Sequence, residues 1–430
     1  MSKAIVNLDS ELTLPCGVSI PNRIAKSAMT EGLADKHDNP TQAHTQLYSR
    51  WAAGDLGLNI SGNVMVDKRY LERVGNVVLE NDINLAKFKE FAKAGKSNGG
   101  QFWMQISHPG RQCPRLVNSK PIAPSEVQLK ILSNFGRPRA MTEEDIKDAI
   151  KRFATTAKLA KEAGFTGVQV HCAHGYLVSQ FLNPLVNKRS DQWGGNLENR
   201  ARFARSIIRA VREAVGPSFP VAAKLNSSDF QKGGFTLEEC TQVASWLAED
   251  RLDLLEISGG NYEQLSLMGA SPSDATIRES TRKREAYFLE YAAAIKKTSN
   301  IPIMVTGGFR KREIMQQAIR DGEVDMIGLA RPFCTQPELP KLLINKQIDE
   351  VDSYENQLVL GAGFWGNNSP LALIKAINAF GAVGFYYWQI IRLSKGLTVE
   401  TNLKILRAFI RHILNDFSLN RRRRNADKST

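Results

Sequence analysis

Two histidines and a tyrosine stand close together in "VQVHCAHGYLVSQFLNPLVNKRSDQWGGNLENR", residues 168–200: His171, His174 and Tyr176. Three chemistries are open to that spacing. A zinc site needs three or four ligands, and this H-x-x-H lacks a companion Cys, Asp or Glu at ligand spacing. A structural pair under a loop would satisfy its ring nitrogens locally, as buried polar groups generally do. A catalytic set would use two imidazole N–H donors to hold one substrate oxygen and stabilise negative charge growing on it. Tyr176 would complement them, because a phenol with an ordinary pKa near about 10 keeps its proton at neutral pH and can act as a general acid. If the segment is a strand, Cys172 points to the face opposite His171 and is a packing residue.

The elements around this set must decide where it sits. Apolar runs at 23–29, 56–66, 100–107, 167–172, 220–226, 252–258, 301–306 and 324–329 alternate with amphipathic helical patterns. Most runs are continuous, as expected for parallel strands covered on both faces. The helix after the third run carries Ile146, Ile150, Phe153, Ala157 and Ala160 on one stripe. The next ends on Gly216 before Pro217, and Thr236 with Glu239 forms a capping box opening the one after. Eight β-then-α units predict an α/β fold, a (β/α)8 TIM barrel, with a doubly wound sheet as the competing arrangement.

A barrel keeps its chemistry at the C-terminal strand ends. That places "SAMTEG", "QISHPGR", "HCAHGY", "KLNSSD", "TGG" and "GLARP" at one mouth. Gly307 and Gly308 let backbone N–H groups approach an anion, and Arg331 adds charge, so the last two loops read as a phosphate site. Simple tight turns are the plain alternative. "GAGFWG", residues 361–366, matches G-x-G-x-x-G, but no acid follows about 20 residues on. It reads as a structural loop.

The 430 residues are 42% hydrophobic and 23% charged, which suits a large globular core. The N-terminus lacks the apolar region of a signal peptide, and no uninterrupted apolar run is long enough for a spanning helix. Five cysteines, Cys16, Cys113, Cys172, Cys240 and Cys334, contain no C-x-x-C. This argues against a disulfide framework and against zinc or iron–sulfur, and fits a reducing, cytoplasmic compartment. Net charge is +13, and residues 389–430 carry ten Lys/Arg against three Asp/Glu. Such a basic end can be a solvated tail or can meet nucleic acid or anionic lipid. Leu403, Leu406, Ile410, Ile413 and Phe417 form an amphipathic stripe that must cover something: the barrel flank first, a subunit or membrane surface next. The expected organisation is a barrel over 1–347 and a C-terminal helical extension with a basic tail over 348–430.

"HCAHGYLVSQFLNPLVNKRSDQWGGNLENRARF" closely resembles the signature of the Old Yellow Enzyme family, the FMN-dependent NADH:flavin oxidoreductases. "PNRIAKSAMTEG", "QISHPGRQ", "TGGF" and "GLARPF" resemble its other landmarks in order, over roughly residues 4–345. The resemblance implies FMN at the barrel mouth, reduced by NAD(P)H and passing hydride to the β-carbon of an activated alkene such as an α,β-unsaturated carbonyl compound. It implies that His171 and His174 hold the substrate's carbonyl oxygen and that Tyr176 protonates the α-carbon. Thr30 would bond flavin O4, Gln105 the pyrimidine edge, and Lys224 the N1 and O2 edge. Met29 and Gly62 would line the ring. Gly307, Gly308, Ala330 and Arg331 would take the phosphate.

Some positions depart from the commoner pattern. Ala28 stands where many members have Pro, Lys224 where many have Arg, and Thr30 where a Cys would allow thiol control. No cysteine follows Cys334, so the chain resembles the short form without an iron–sulfur cluster, with electrons coming directly from nicotinamide. Arg111 and the segment 278–288 lie on loops at the mouth and could contact substrate or nicotinamide, or be solvated. Two rival functions remain: a flavin-dependent RNA-modifying barrel, and an FMN-binding barrel without alkene reductase activity that docks through its tail. The RNA enzymes use a loop cysteine as acid where this chain has Tyr176, and the basic residues cluster in the tail, so no nucleic-acid partner is expected.

Overall fold

The computed structural model describes residues 6–96, 98–130, 134–258 and 288–427. Eight strands form the frame: β1 Ile24–Lys26, β2 Leu58–Ile60, β3 Gln101–Ser107, β4 Gly167–Cys172, β5 Val221–Asn226, β6 Leu254–Ser258, β7 Ile303–Thr306 and β8 Met326–Leu329. Each pairs in parallel with the next, and β8 pairs with β1, so the sheet closes. The arrangement is the expected (β/α)8 barrel and not a doubly wound sheet.

Eight helices follow the strands in turn: α1 Gln42–Ala52, α2 Leu85–Gly95, α3 Glu143–Glu162, α4 Leu197–Val215, α5 Leu237–Glu249, α6 Leu289–Lys296, α7 Arg312–Arg320 and α8 Leu339–Ile344. Their ends obey local chemistry. Thr236 accepts from the Glu239 N–H while the Glu239 side chain reaches back to the Thr236 N–H. Gly216 ends α4 with φ of 81°, in the left-handed region where a Cβ is penalised. The predicted run 56–66 is two short strands, because the chain bends at Ser61–Asn63. Val64–Met65 then pairs with the far end of β3 rather than continuing β2.

Strand parity sorts the interior into layers. Ala25, Trp103, Ala222, Leu254, Met304 and Met326 fill the lower barrel, closed underneath by Leu12, Leu14 and Ile20 of an N-terminal hairpin. Two residues further along those strands the interior turns polar, with Ser27, Gln105, Lys224, Glu256 and Thr306. At the same level on β8 sits Gly328, where a Cβ would collide with Thr306 Oγ1. Cys172 is buried in the outer core between strands and helices, as strand parity requires.

The chain beyond the barrel adds α9 Ala372–Leu393 and α10 Ile405–Asp427. They pack closely because α9 offers glycines. A Cβ on Gly381 would lie 2.5 Å from Ile405 Cγ1, and one on Gly384 would lie 2.6 Å from the Ala408 carbonyl. Helix α9 lies over the barrel mouth rather than on its flank. Helix α10 presents Ile405 and Ala408 inward, Leu403 just before it is buried with them, and Leu406, Ile410 and Phe417 stay exposed. The predicted stripe is therefore split: Leu403 is packed and Ile413 half-buried, while Leu406, Ile410 and Phe417 face away. The small residues that let the two backbones approach, rather than the larger apolar ones, select which side of α10 is buried. Residues 361–366 are a loop with a 3-10 turn, Gly363–Trp365.

Candidate active site

Met29, Thr30, Gln105, His171, His174, Tyr176, Lys224 and Arg331 all line one cavity of about 260 Å³ at the barrel mouth. His171 and Lys224 are in register on β4 and β5, pointing inward side by side. His174 and Tyr176 follow on the loop after β4. His174 adopts φ of 60°, a conformation rare outside glycine. Its N–H donates to Asn226 Oδ1 at 3.0 Å, and its carbonyl accepts from Gln112 Nε2 at 3.0 Å. These bonds hold a backbone that would otherwise relax, and they aim the ring. The three rings interlock edge to face, with centroids 5.1 Å apart for His171–His174 and 4.7 Å for His171–Tyr176.

Protonation follows from burial. Desolvation first, then the charges of His174 and Lys224, holds His171 well below the ordinary imidazole value. Desolvation and Lys224 do the same for His174. Both rings are neutral at pH 7, so each has one N–H to give. His171 Nδ1 accepts from the Ala173 N–H at 3.2 Å, which leaves its proton on Nε2. His174 Nε2 lies 2.9 Å from Ser258 Oγ. When the serine donates there, the His174 proton sits on Nδ1.

Beneath them runs a buried polar relay that the sequence did not announce. Gln105 Nε2 donates to Gln169 Oε1 at 2.6 Å, and Gln169 Nε2 donates to Glu256 Oε2 at 2.8 Å. Glu256 Oε1 takes Lys224 Nζ at 2.9 Å and the Thr306 hydroxyl at 2.6 Å. Lys224 is thus a fixed cation held by a fully buried acid. The opposite wall holds Asn63 and Glu72, also absent from the sequence reading. Thr30 Oγ1 donates to Glu72 Oε2 at 2.7 Å and Asn63 Nδ2 donates to it at 2.8 Å, while Asn63 Oδ1 is buried without a partner.

At the other end, Arg310 and Arg331 from the loops after β7 and β8 share Glu355 Oε1 at 2.9 and 3.0 Å. That convergence is an anion position, and the carboxylate shows what charge it accepts. Gly307 and Gly308 carry positive φ on the same loop, at 132° and 79°. Neither they nor Ala330 is among the residues lining the cavity. Gly62 does not line it either: its N–H donates to Glu31 Oε1 at 2.9 Å, and a Cβ would collide with Glu31. Arg111 is buried rather than a surface arginine, with Nη1 donating to the Val127 carbonyl at 3.3 Å. Residues 278–287 lie outside the described residues. Among the described residues, no group of three His, Cys, Asp or Glu side chains gathers as metal ligands would.

Helix α9 closes the cavity from above with Lys375, Ala379, Val383, Tyr386 and Tyr387. Tyr387 is clamped between Arg73, 3.9 Å from its ring centroid, and the stacked ring of His412 at 5.3 Å.

A parallel barrel with this mouth is an α/β barrel fitted to hold an anionic ligand, and comparison with known proteins assigns its family. The profile of the NADH:flavin oxidoreductase / NADH oxidase family matches residues 15–350, and the chain belongs to that family. It is 36% identical over 363 residues to the NADH-dependent flavin oxidoreductase iliE of Hypocrea jecorina (strain QM6a), covering 80% of this chain and 90% of that protein. Among solved structures it resembles a 2-naphthoyl-CoA reductase in complex with 2-naphthoyl-CoA, at 28% identity and a TM-score of 0.73. The match covers 79% of this chain and 52% of that one, so the chain spans about half the length of that reductase. The old yellow enzyme homologue from Zymomonas mobilis shares the fold, with a TM-score of 0.69 at 23% identity, covering 85% of this chain and 99% of that one. The chain is an FMN-dependent oxidoreductase with a nicotinamide electron donor.

Proposed function

We propose that this protein reduces the carbon–carbon double bond of α,β-unsaturated carbonyl compounds. The observation carrying the reading is the placement of two neutral imidazoles and Tyr176 in one cavity with the buried Lys224 and with Arg331. The residues present fit FMN: Thr30, Gln105 and Lys224 would meet the ring edge, Met29 its face, and Arg331 with the Gly307–Gly308 loop the phosphate. The buried unpartnered Asn63 Oδ1 and the anion already held by Arg310 and Arg331 support that fit. When bound, FMN supplies hydride transfer from nicotinamide to the β-carbon of the alkene.

The chain's own residues do the rest. His171 Nε2–H and the free N–H of His174 hold the carbonyl oxygen and stabilise the negative charge that develops there. Their burial keeps them neutral, so they donate without themselves titrating near neutral pH. Tyr176 Oη gives its proton to the α-carbon. Lys224, held by Glu256, would set its ammonium against the pyrimidine edge of the bound flavin. Helix α9 excludes water from above, which strengthens each of these interactions.

The division at 347/348 follows the same reading: the barrel carries the chemistry and the extension encloses it. Five free cysteines, four of them buried, accord with a reducing compartment such as the cytoplasm. The purified protein is expected to be yellow and to consume NADH on addition of cyclohexenone. A colourless protein that takes up no FMN, or a yellow one inert towards neutral enones, would overturn the proposal.

A further inference from the structure

The outer face of α10 is apolar where solvent should make it polar. Leu406, Ile410, Leu414 and Phe417 are 48%, 49%, 62% and 64% exposed. Their spacing of four, four and three residues puts them on one stripe about 16 Å long. One turn further, Arg421 and Arg424 continue that face, and Arg407 and Arg422 flank it, all four exposed and none paired with a carboxylate among the described residues. Asp416, the acid beside the apolar stripe, is paired with Arg73 on the packed side. We propose that this face docks the protein on an anionic lipid bilayer, with α10 lying in the plane of the headgroups.

The charge pattern selects this occupant over a second copy of the chain. A two-fold antiparallel pairing centred on the stripe sets Arg421 and Arg424 of one copy near positions 402 and 399 of the other, where the nearest acid, Glu400, is already held by Arg392 and Arg411, and sets Arg407 near Asp416, already held by Arg73. A parallel pairing sets each arginine against itself. The first offers the arginines no acid that is not already paired, and the second brings like charges together, so neither pairing gives the basic residues a counter-charge. An anionic surface instead attracts every arginine while the four apolar side chains leave water for the acyl boundary. Among the described residues no helix is long and apolar enough to cross a membrane, and a helix of this pattern lies on the surface. Because α10 packs on α9, and α9 covers the cavity, docking would bring the mouth of the reductase close to the lipid surface.

Co-sedimentation of the full chain with vesicles tests this. The two vesicle types are phosphatidylcholine alone and phosphatidylcholine with roughly 30 mol % phosphatidylserine. The protein should pellet with the anionic vesicles, stay in solution with the neutral ones, and be released as salt rises. Leu414→Glu/Phe417→Glu and Arg421→Gln/Arg422→Gln/Arg424→Gln each change only exposed side chains. Each should lower the bound-to-free ratio by about tenfold or more. Equal pelleting with both vesicle types, no pelleting with either, or undiminished binding by either variant would overturn the proposal. So would a dimer in sedimentation velocity that Leu414→Glu/Phe417→Glu dissolves, which would make the face an interface between copies.

Discussion

The floor and the roof of the cavity are built on different principles. The floor is a buried polar layer in which Lys224, Glu256, Gln169, Gln105 and Thr306 satisfy one another inside a closed sheet. Each side chain is placed by strand parity and by its neighbour in register. The roof is one helix laid across the mouth and held at its edges by partly exposed contacts, such as Arg392 and Arg411 with Glu400. Rigid placement of fixed charge is what a binding floor needs. A roof needs to exclude water and to be able to open for two reactants in turn. The family match ends at residue 350, so the floor lies within it and the roof beyond it.

The largest expected contrast is in stability. Lys224→Met leaves Glu256 buried and uncompensated, and is expected to cost about 3–5 kcal/mol in urea unfolding. Arg392→Gln breaks a roof pair that water already screens, and is expected to cost less than about 1 kcal/mol. Equal losses would mean that the floor is no more tightly built than the roof.

An effect that is smaller per residue is linked to pH and spans both regions. Burial lowers His171 and His174 in the wall, His44 behind it, His108 to about 4, and His412, on α10 against the roof helix, to about 4, all from 6.5. Between those values each ring is neutral when folded and charged when unfolded. The unfolded chain then binds more protons, so stability is fully present above pH 6.5 and falls as pH drops towards 4. The slope is up to about 1.4 kcal/mol per pH unit for each such ring. A melting temperature unchanged from neutral pH to about pH 5 would contradict this sign, which rests on burial as the dominant cause.

Much of the barrel was legible because its signals are local. Continuous apolar runs marked the strands, capping residues and Gly216 marked helix ends, and strand parity separated His171 from Cys172. The wall of the site was legible for the same reason, as residues at strand ends share one mouth whatever the loops do. Two kinds of feature were not. Partnerships between distant strands, such as Lys224 with Glu256, depend on register, although an acid inside the apolar run "LLEIS" was a visible hint. The roof depended on which side of α10 meets α9. Helical periodicity finds an apolar stripe but cannot say whether a pair of glycines on another helix will prefer a smaller face. Three of the five stripe residues, Leu406, Ile410 and Phe417, therefore looked packed and are exposed.

Under the proposed function, Tyr176 donates the proton in a reductase whose flavin reduction does not need it. Stopped-flow measurement of the two half-reactions of Tyr176→Phe separates these roles. Reduction of bound flavin by NADH should be nearly unchanged, and reoxidation by an enone should slow by about 10²–10⁴-fold. Equal slowing of both half-reactions, or of neither, would contradict the account.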